Sequence, residues 1–261
     1  MIATSPYRFL LLDDDAGVAT LTLNRPEKRN ALSREVMEEL IAAFTAIGSD
    51  RTVKAVILRG IGPAFSAGHD LREMLARSVD EYRATFDTCV TLMETIQRIP
   101  QPVIAEVAAI ATAAGCQLVA TCDLAVASTD AKFATPGVKI GLFCTTPMVA
   151  LTRVIGRKRA MEMLMTGEFI DARTAADWGL VNRVVAPDDL AATTAALART
   201  IASAAGFPVG LGKAAFYTQI DLDQPKAYAY AKEVMSMNAL SEDAQEGMCA
   251  FVDKRPPQWR T

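Results

Sequence analysis

The residues from Val103 to Ala127 constrain the fold more than any other part of the chain. Val103 to Val107 is an apolar strand interrupted only by Glu106, Ala113 to Thr121 has the length and composition of a short helix, and Asp123 to Ala127 is a second strand. Strands separated by a helix do not form a hairpin. They lie parallel in one sheet, with the helix crossing a face of it in the right-handed sense. Such a unit predicts an α/β chain whose sheet is covered by helices.

The rest of the sequence extends that frame. Arg8 to Asp13 and Val18 to Leu23 read as a β-hairpin around the turn-like segment Asp14 to Gly17. Ser33 is placed to cap a helix in which Val36, Leu40, Ile41, Phe44 and Ile47 recur at helical spacing until Gly48. Lys54 to Arg59 is a buried strand, and Asp80 to Arg98 is a helix with Tyr82, Phe86, Val90, Met93 and Ile96 on its stripe, ended by Pro100 and Pro102. Beyond Pro147 strand signals nearly vanish, and helical patterns run through Asp188 to Ala205 and Gln224 to Lys254. The expected organisation is a core over residues 1–168 and a helical region over 169–261, packed on that core or on a neighbouring subunit.

Composition removes several function classes. Lys and Arg total 27 against 30 for Asp and Glu, a net charge of -3, which offers no electrostatic case for nucleic acid. The longest apolar runs, such as Val103 to Ala114, are too short for a bilayer and contain Glu106, so no membrane partner is expected. The opening MIATSPYRFLLLDDD does not have the pattern of a signal peptide. Five cysteines without a C-x-x-C pair read as reduced thiols in a cytoplasmic protein, with no metal site.

Several familiar motifs fail on inspection. Gly60-Ile61-Gly62-Pro63-Ala64-Phe65 puts Phe65 where a dinucleotide fingerprint needs its third glycine. Gly210-Leu211-Gly212-Lys213 has Phe207 where a phosphate loop opens and Ala214 where it needs a hydroxyl. A serine–histidine triad would depend on the one histidine, His69, and no G-x-S-x-G elbow supplies the serine.

Two segments rich in small residues remain, Phe65 to Leu71 and Thr112 to Gln117, each following a strand of the same sheet. Small residues let backbone approach a ligand, and N–H groups at a helix start favour negative charge. Read on their residues alone, these are either two tight turns or a converging pair of N–H donors, which stabilises an oxyanion by about 3 to 4 kcal/mol per donor.

The motifs Leu23-Asn24-Arg25-Pro26, Asn30-Ala31-Leu32, Phe65-Ser66-Ala67-Gly68-His69-Asp70-Leu71, Ala114-Gly115-Cys116-Gln117-Leu118, Cys122-Asp123, Gly179-Leu180-Val181 and Gln245-Glu246-Gly247 decide between them. In order and spacing they resemble the crotonase (enoyl-CoA hydratase/isomerase) superfamily over nearly the whole chain. Ala111 to Leu118 and Phe133 to Val138 are similar to one branch of it with bacterial members. The resemblance implies a β-β-α spiral core, a helical C-terminal trimerisation region, and a homotrimer or dimer of trimers. It implies an acyl-CoA ligand polarised by the N–H groups of His69 and Ala114, with no cofactor beyond the coenzyme A of the substrate. Contacts to coenzyme A are implied for Lys28, Arg29, Ala31, Ala67, Asp70, Leu71 and Lys254, the last from the C-terminal helix of the same or a neighbouring subunit.

The chain departs from the superfamily at the hydration chemistry. The two glutamates that flank the bound water align with Gln117 and Gly137, and the acid that some isomerases and a dehalogenase use instead aligns with Thr145. A base and an acid are each worth about 10² to 10⁴ in rate, and none of these three side chains ionises usefully. Asp70, Glu73 and the His69 side chain are the nearby substitutes, and Thr135, Gly137 and Lys139 form a possible anion cradle of the kind used by related naphthoate-forming synthases. Three readings stay open: a CoA-thioester enzyme with an altered acid/base set and weak hydratase activity, a non-catalytic acyl-CoA-binding regulatory protein, and a structural assembly protein.

Overall fold

The computed structural model describes residues 7–260. The chain opens with the expected hairpin, β1 (Leu10–Asp15) and β2 (Val18–Leu23), with Leu10 opposite Leu23. Its turn is tighter than expected, and Asp14 and Asp15 belong to the strand. Only Ala16 and Gly17 lie between the strands, at φ of 53° and 83°, the doubly left-handed turn that matches strand twist. Ser33 accepts the Val36 N–H at 3.3 Å and caps α1 (Arg34–Ser49). Gly48 does not end that helix. It lies inside it, where a Cβ would come 2.8 Å from the Ile99 side chain, so its role is close packing.

The chain then repeats one move. β3 (Ala55–Gly60) enters a main sheet, β4 (Ala64–Ser66) turns off into a second sheet, and α2 (Val79–Arg98) returns. β5 (Val103–Val107), β6 (Ile110–Thr112) and α3 (Ala114–Thr121) repeat the move, as do β7 (Leu124–Ser128), β8 (Lys132–Ala134) and α4 (Thr145–Val154). After α5 (Arg157–Thr166), β9 (Ile170–Asp171) pairs antiparallel with β8, α6 (Ala172–Trp178) follows, and β10 (Arg183–Val185) joins β7 in parallel. The main sheet runs β1-β2-β3-β5-β7-β10 and the second β4-β6-β8-β9. This is a β-β-α spiral.

One face of the main sheet is covered by α7 (Leu190–Ala202), whose Leu190 and Ala198 meet Val18, Ala55, Ile57, Ile104 and Val126. On the other lie α1, α2 and α3 in one continuous cluster that includes Phe44, Leu58, Phe65, Leu92 and Leu118. The buried stripe of α2 is rotated from the expected one: Cys89, Leu92, Met93, Thr95 and Ile96 face inward, while Val90 is exposed. The tail is more divided than its helical periodicity implied. α8 (Gly206–Gln219), α9 (Gln224–Ala239) and α10 (Glu242–Val252) are separate helices, because Ser241 caps α10 by accepting the Ala244 N–H at 3.2 Å. The division expected after residue 168 falls just before β9, yet β9, β10 and α7 all return to the sheets. The part that stands off the sheets starts at Gly206.

α8 is held to the core by a buried cation. Lys213 Nζ lies 2.7 Å from Asp123 Oδ2 and donates to the Ile96 and Gln101 carbonyls at 2.8 and 2.9 Å. The Tyr217 hydroxyl and the Val103 N–H complete the Asp123 carboxylate at 2.8 and 2.7 Å. Among the described residues no helix is long and apolar enough to cross a membrane, and no cluster of His, Cys, Asp and Glu suits a metal ion.

Candidate functional site

The two small-residue segments meet because each follows a second-sheet strand, and β4 and β6 are neighbours there. Their contact is closer than any side chain permits. A Cβ on Gly115 would fall 2.2 Å from the Ser66 carbonyl oxygen, and one on Gly68 would fall 2.9 Å from Ala113 Cβ and 3.0 Å from the Ala114 nitrogen. Gly68 takes φ of +87°, which favours glycine. Thr112 Oγ1 donates to the Ala67 carbonyl at 3.2 Å and ties the segments together.

Next to this contact, the N–H groups of His69 and Ala114 find no acceptor among the described residues, whereas Leu32 N–H donates to the Gly68 carbonyl and Asp70 N–H to the Leu32 carbonyl. Ala114 opens α3 with helical backbone, which alanine adopts without strain. The strained residue is one earlier: Ala113 holds φ of 51° and ψ of −120° as the N-cap, a conformation that costs a non-glycine residue about 1 to 3 kcal/mol.

The loop before α1 forms one wall. Asn30 accepts the Arg25 N–H at 2.9 Å and donates to the Ile61 and Ala64 carbonyls at 3.0 and 2.8 Å, and the Arg29 carbonyl accepts the Ala67 N–H at 3.0 Å. Ala31 is buried, while Lys28 and Arg29 are exposed and form no ion pair among the described residues. Leu71 is 48% exposed at the rim. Lys254 is not brought to this group within one chain, because it follows α10, which packs on α8 and α9.

The candidate carboxylates are committed elsewhere. Asp70 is paired with Arg25 at 3.3 Å and accepts the Arg72 N–H at 3.2 Å, which holds the turn shut. Glu73 accepts the Arg34 N–H at 2.9 Å at the start of α1. Lys139 pairs with Glu168 at 2.7 Å in solvent, so the cation of the anion cradle is already committed to a carboxylate.

At the first glutamate position Gln117 is 4% exposed, and its Oε1 accepts the Cys89 thiol at 3.9 Å. Burial pushes the Cys89 thiol up to about 12, so it stays protonated. The second position is not an empty slot. A Cβ on Gly137 would lie 2.7 Å from the Leu142 carbonyl and 2.8 Å from Cys144 Sγ. Cys144 is a residue that sequence reasoning missed. Its sulfur occupies the space into which a side chain at 137 would grow, whereas Thr145 beside it is exposed. Burial raises the Cys144 thiol, and the Gly137 N–H opposes part of that rise.

The His69 imidazole lies edge-on to Phe86, with centroids 5.6 Å apart at 80°. Both ring nitrogens are buried, and among the described residues neither has a partner in hydrogen-bond geometry, the Leu32 carbonyl being near but not aligned. Burial holds the ring below its ordinary pKa, while the nearby Leu32 carbonyl opposes part of that shift. The unfolded chain therefore takes up a proton near pH 6.5 that the folded chain refuses until lower pH. This contributes stability that is fully present above about pH 6.5 and is lost as pH falls through the folded value. Denaturant titrations should show that loss, and His69→Gln, which removes the chain's one histidine, should flatten the acid limb. An identical pH slope in the variant would contradict a buried neutral ring.

Clefts of about 560 Å³ beside the start of α8 and about 660 Å³ along α8 to α10 contain none of these residues. The backbone N–H groups of His69 and Ala114 lie in two turns that meet beyond the short strands of a β-β-α spiral. The family model for enoyl-CoA hydratase/isomerase matches residues 13–261, and the chain belongs to that family. It is 46% identical over 244 residues to human mitochondrial enoyl-CoA hydratase domain-containing protein 3, covering 93% of this chain and 80% of that one. The crystal structure of that human protein superposes with a TM-score of 0.94 at 44% identity, covering 97% of this chain and 100% of that one. An enoyl-CoA hydratase structure from Mycobacterium smegmatis superposes with a TM-score of 0.95 at 52% identity, again covering 97% and 100%.

Proposed function

We propose that this chain binds the thioester of an acyl-CoA with its carbonyl oxygen on the N–H groups of His69 and Ala114, and that it hydrates 2-enoyl-CoAs weakly or not at all. The carrying observation is the pair of acceptor-free N–H groups set together by the Gly68 and Gly115 contacts. A primary amide at Gln117 orients water but does not take its proton, and Gly137 has no side chain, so both proton-transfer groups of hydration are missing. Lys28 and Arg29 supply exposed cations for the coenzyme A phosphates, with Ala31, Ala67, Asp70 and Leu71 shaping the entrance. The reading includes a homotrimer or dimer of trimers, in which Lys254 serves a neighbouring subunit. It is supported by α9, which buries no residue in the single chain, and by Phe251 and Val252 at 86% and 76% exposure. A non-catalytic acyl-CoA binder is the second reading, favoured by the sulfur standing in the second acid's place.

Calorimetric titration with butyryl-CoA tests binding, and a crotonyl-CoA hydration assay tests turnover. Saturable binding is expected, with hydration at least about 10²-fold below an enzyme with both glutamates. Hydration at the rate of a two-glutamate enzyme would contradict the assignment of Gln117 and Gly137.

A further inference from the structure

The carboxylates and the Cys89 thiol beside this site are already engaged. Asp70 serves Arg25, Glu73 serves the start of α1, and the Cys89 thiol donates to Gln117. His69 has two buried nitrogens with no partner in hydrogen-bond geometry among the described residues, although buried polar atoms in native proteins are ordinarily satisfied. Its ring touches Phe86, and Phe86 and Cys89 stand one turn apart on the same face of α2. Cys89 in turn touches Gln117. The imidazole and the Gln117 amide therefore pack against positions one turn apart on that face of α2, and Gln117 holds the place of the first family carboxylate.

We propose that the His69 imidazole is a further catalytic residue, the proton-transfer group that acts at C2 of the thioester held by the His69 and Ala114 N–H groups. This rests on the reading that the site binds acyl-CoA. The C2–H bond breaks and its proton passes to a ring nitrogen. The electron pair moves between C1 and C2, and the negative charge settles on the thioester oxygen at the two N–H groups. Return of a proton from the imidazolium restores the thioester, so the step needs no other reactant. Burial keeps the free ring neutral and able to accept that proton. Ligand entry parts the ring from the Phe86 edge.

The test follows deuterium entry at C2 of butyryl-CoA in D2O with the full chain, its His69→Gln variant and its His69→Met variant, beside calorimetric titration of each. Both variants keep the backbone N–H. The parent should catalyse exchange, and both variants should lose at least about 100-fold of it at saturating butyryl-CoA, their own titrations setting the concentration needed. Because His69→Met removes two orphaned polar atoms, its Tm should rise by about 2 to 6 °C. Exchange in His69→Gln within about threefold of the parent, or no exchange in a parent that binds butyryl-CoA, overturns the proposal and leaves thioester binding standing. No binding by the parent overturns the acyl-CoA reading itself. Should His69→Met not fold, His69→Gln decides the matter.

Discussion

Gly115→Ala should remove acyl-CoA binding and lower stability by about 3 kcal/mol, the upper end of ordinary overpacking. The added carbon would lie 2.2 Å from the Ser66 carbonyl oxygen and 2.8 Å from the Ser66 carbonyl carbon and Cβ. Most of the opposing atoms are main chain, held by β4 on one side and α3 on the other, so no flexible side-chain end can yield. The two segments must part, and with them the two N–H groups. A donor displaced by an ångström loses most of its value to a developing oxyanion, because the hydrogen bond depends steeply on distance and direction. The variant should melt roughly 6 to 12 °C below the parent and show no saturable heat with butyryl-CoA. A melting point within about 2 °C of the parent and unchanged affinity would mean that the Ser66–Gly115 contact does not set the site.

The second large effect lies away from the site. Lys213→Met should lower stability by about 3 to 5 kcal/mol, the usual result of removing one member of a buried ion pair. The side chains of Lys213 and Asp123 are only 5% and 14% exposed. Without the ammonium, the Ile96 and Gln101 carbonyls lose their donor and Asp123 keeps only the Tyr217 hydroxyl and the Val103 N–H. Hydrogen exchange should quicken along α8, which this cation fastens to the end of α2, while the His69 and Ala114 turns keep their ligand affinity. A loss below about 1 kcal/mol would show that the apolar contacts of α8 suffice without the pair.

The sheet was legible where its strands are long. Val103 to Val107 and its crossover to the next strand carry enough apolar residues to declare a parallel pair, and the structure has that pair between β5 and β7. β4, β6, β8 and β9 were not legible, because two or three residues show no period. Those short strands are what bring Gly68 and Ala114 together, so the site was visible as two candidate turns but not as one contact. The stripe of α2 was misplaced by its C-terminal half, where Cys89 and Thr95 face inward and Val90 does not. Small polar residues at helix–helix contacts carry little hydrophobic signal. Cys144 was hidden for a different reason. Only the fold carries the chain from Gly137 around residues 138–143 and back to lay a sulfur against it. The structure also alters the meaning of that glycine, since restoring a glutamate at 137 would drive a Cβ into the Leu142 carbonyl and Cys144 rather than refill a vacant place.

A crystal structure with butyryl-CoA tests the central claim most directly. The thioester oxygen should lie about 2.7 to 3.1 Å from the backbone nitrogens of both His69 and Ala114. A bound thioester whose oxygen meets neither nitrogen would contradict the account, whatever the affinity of the complex.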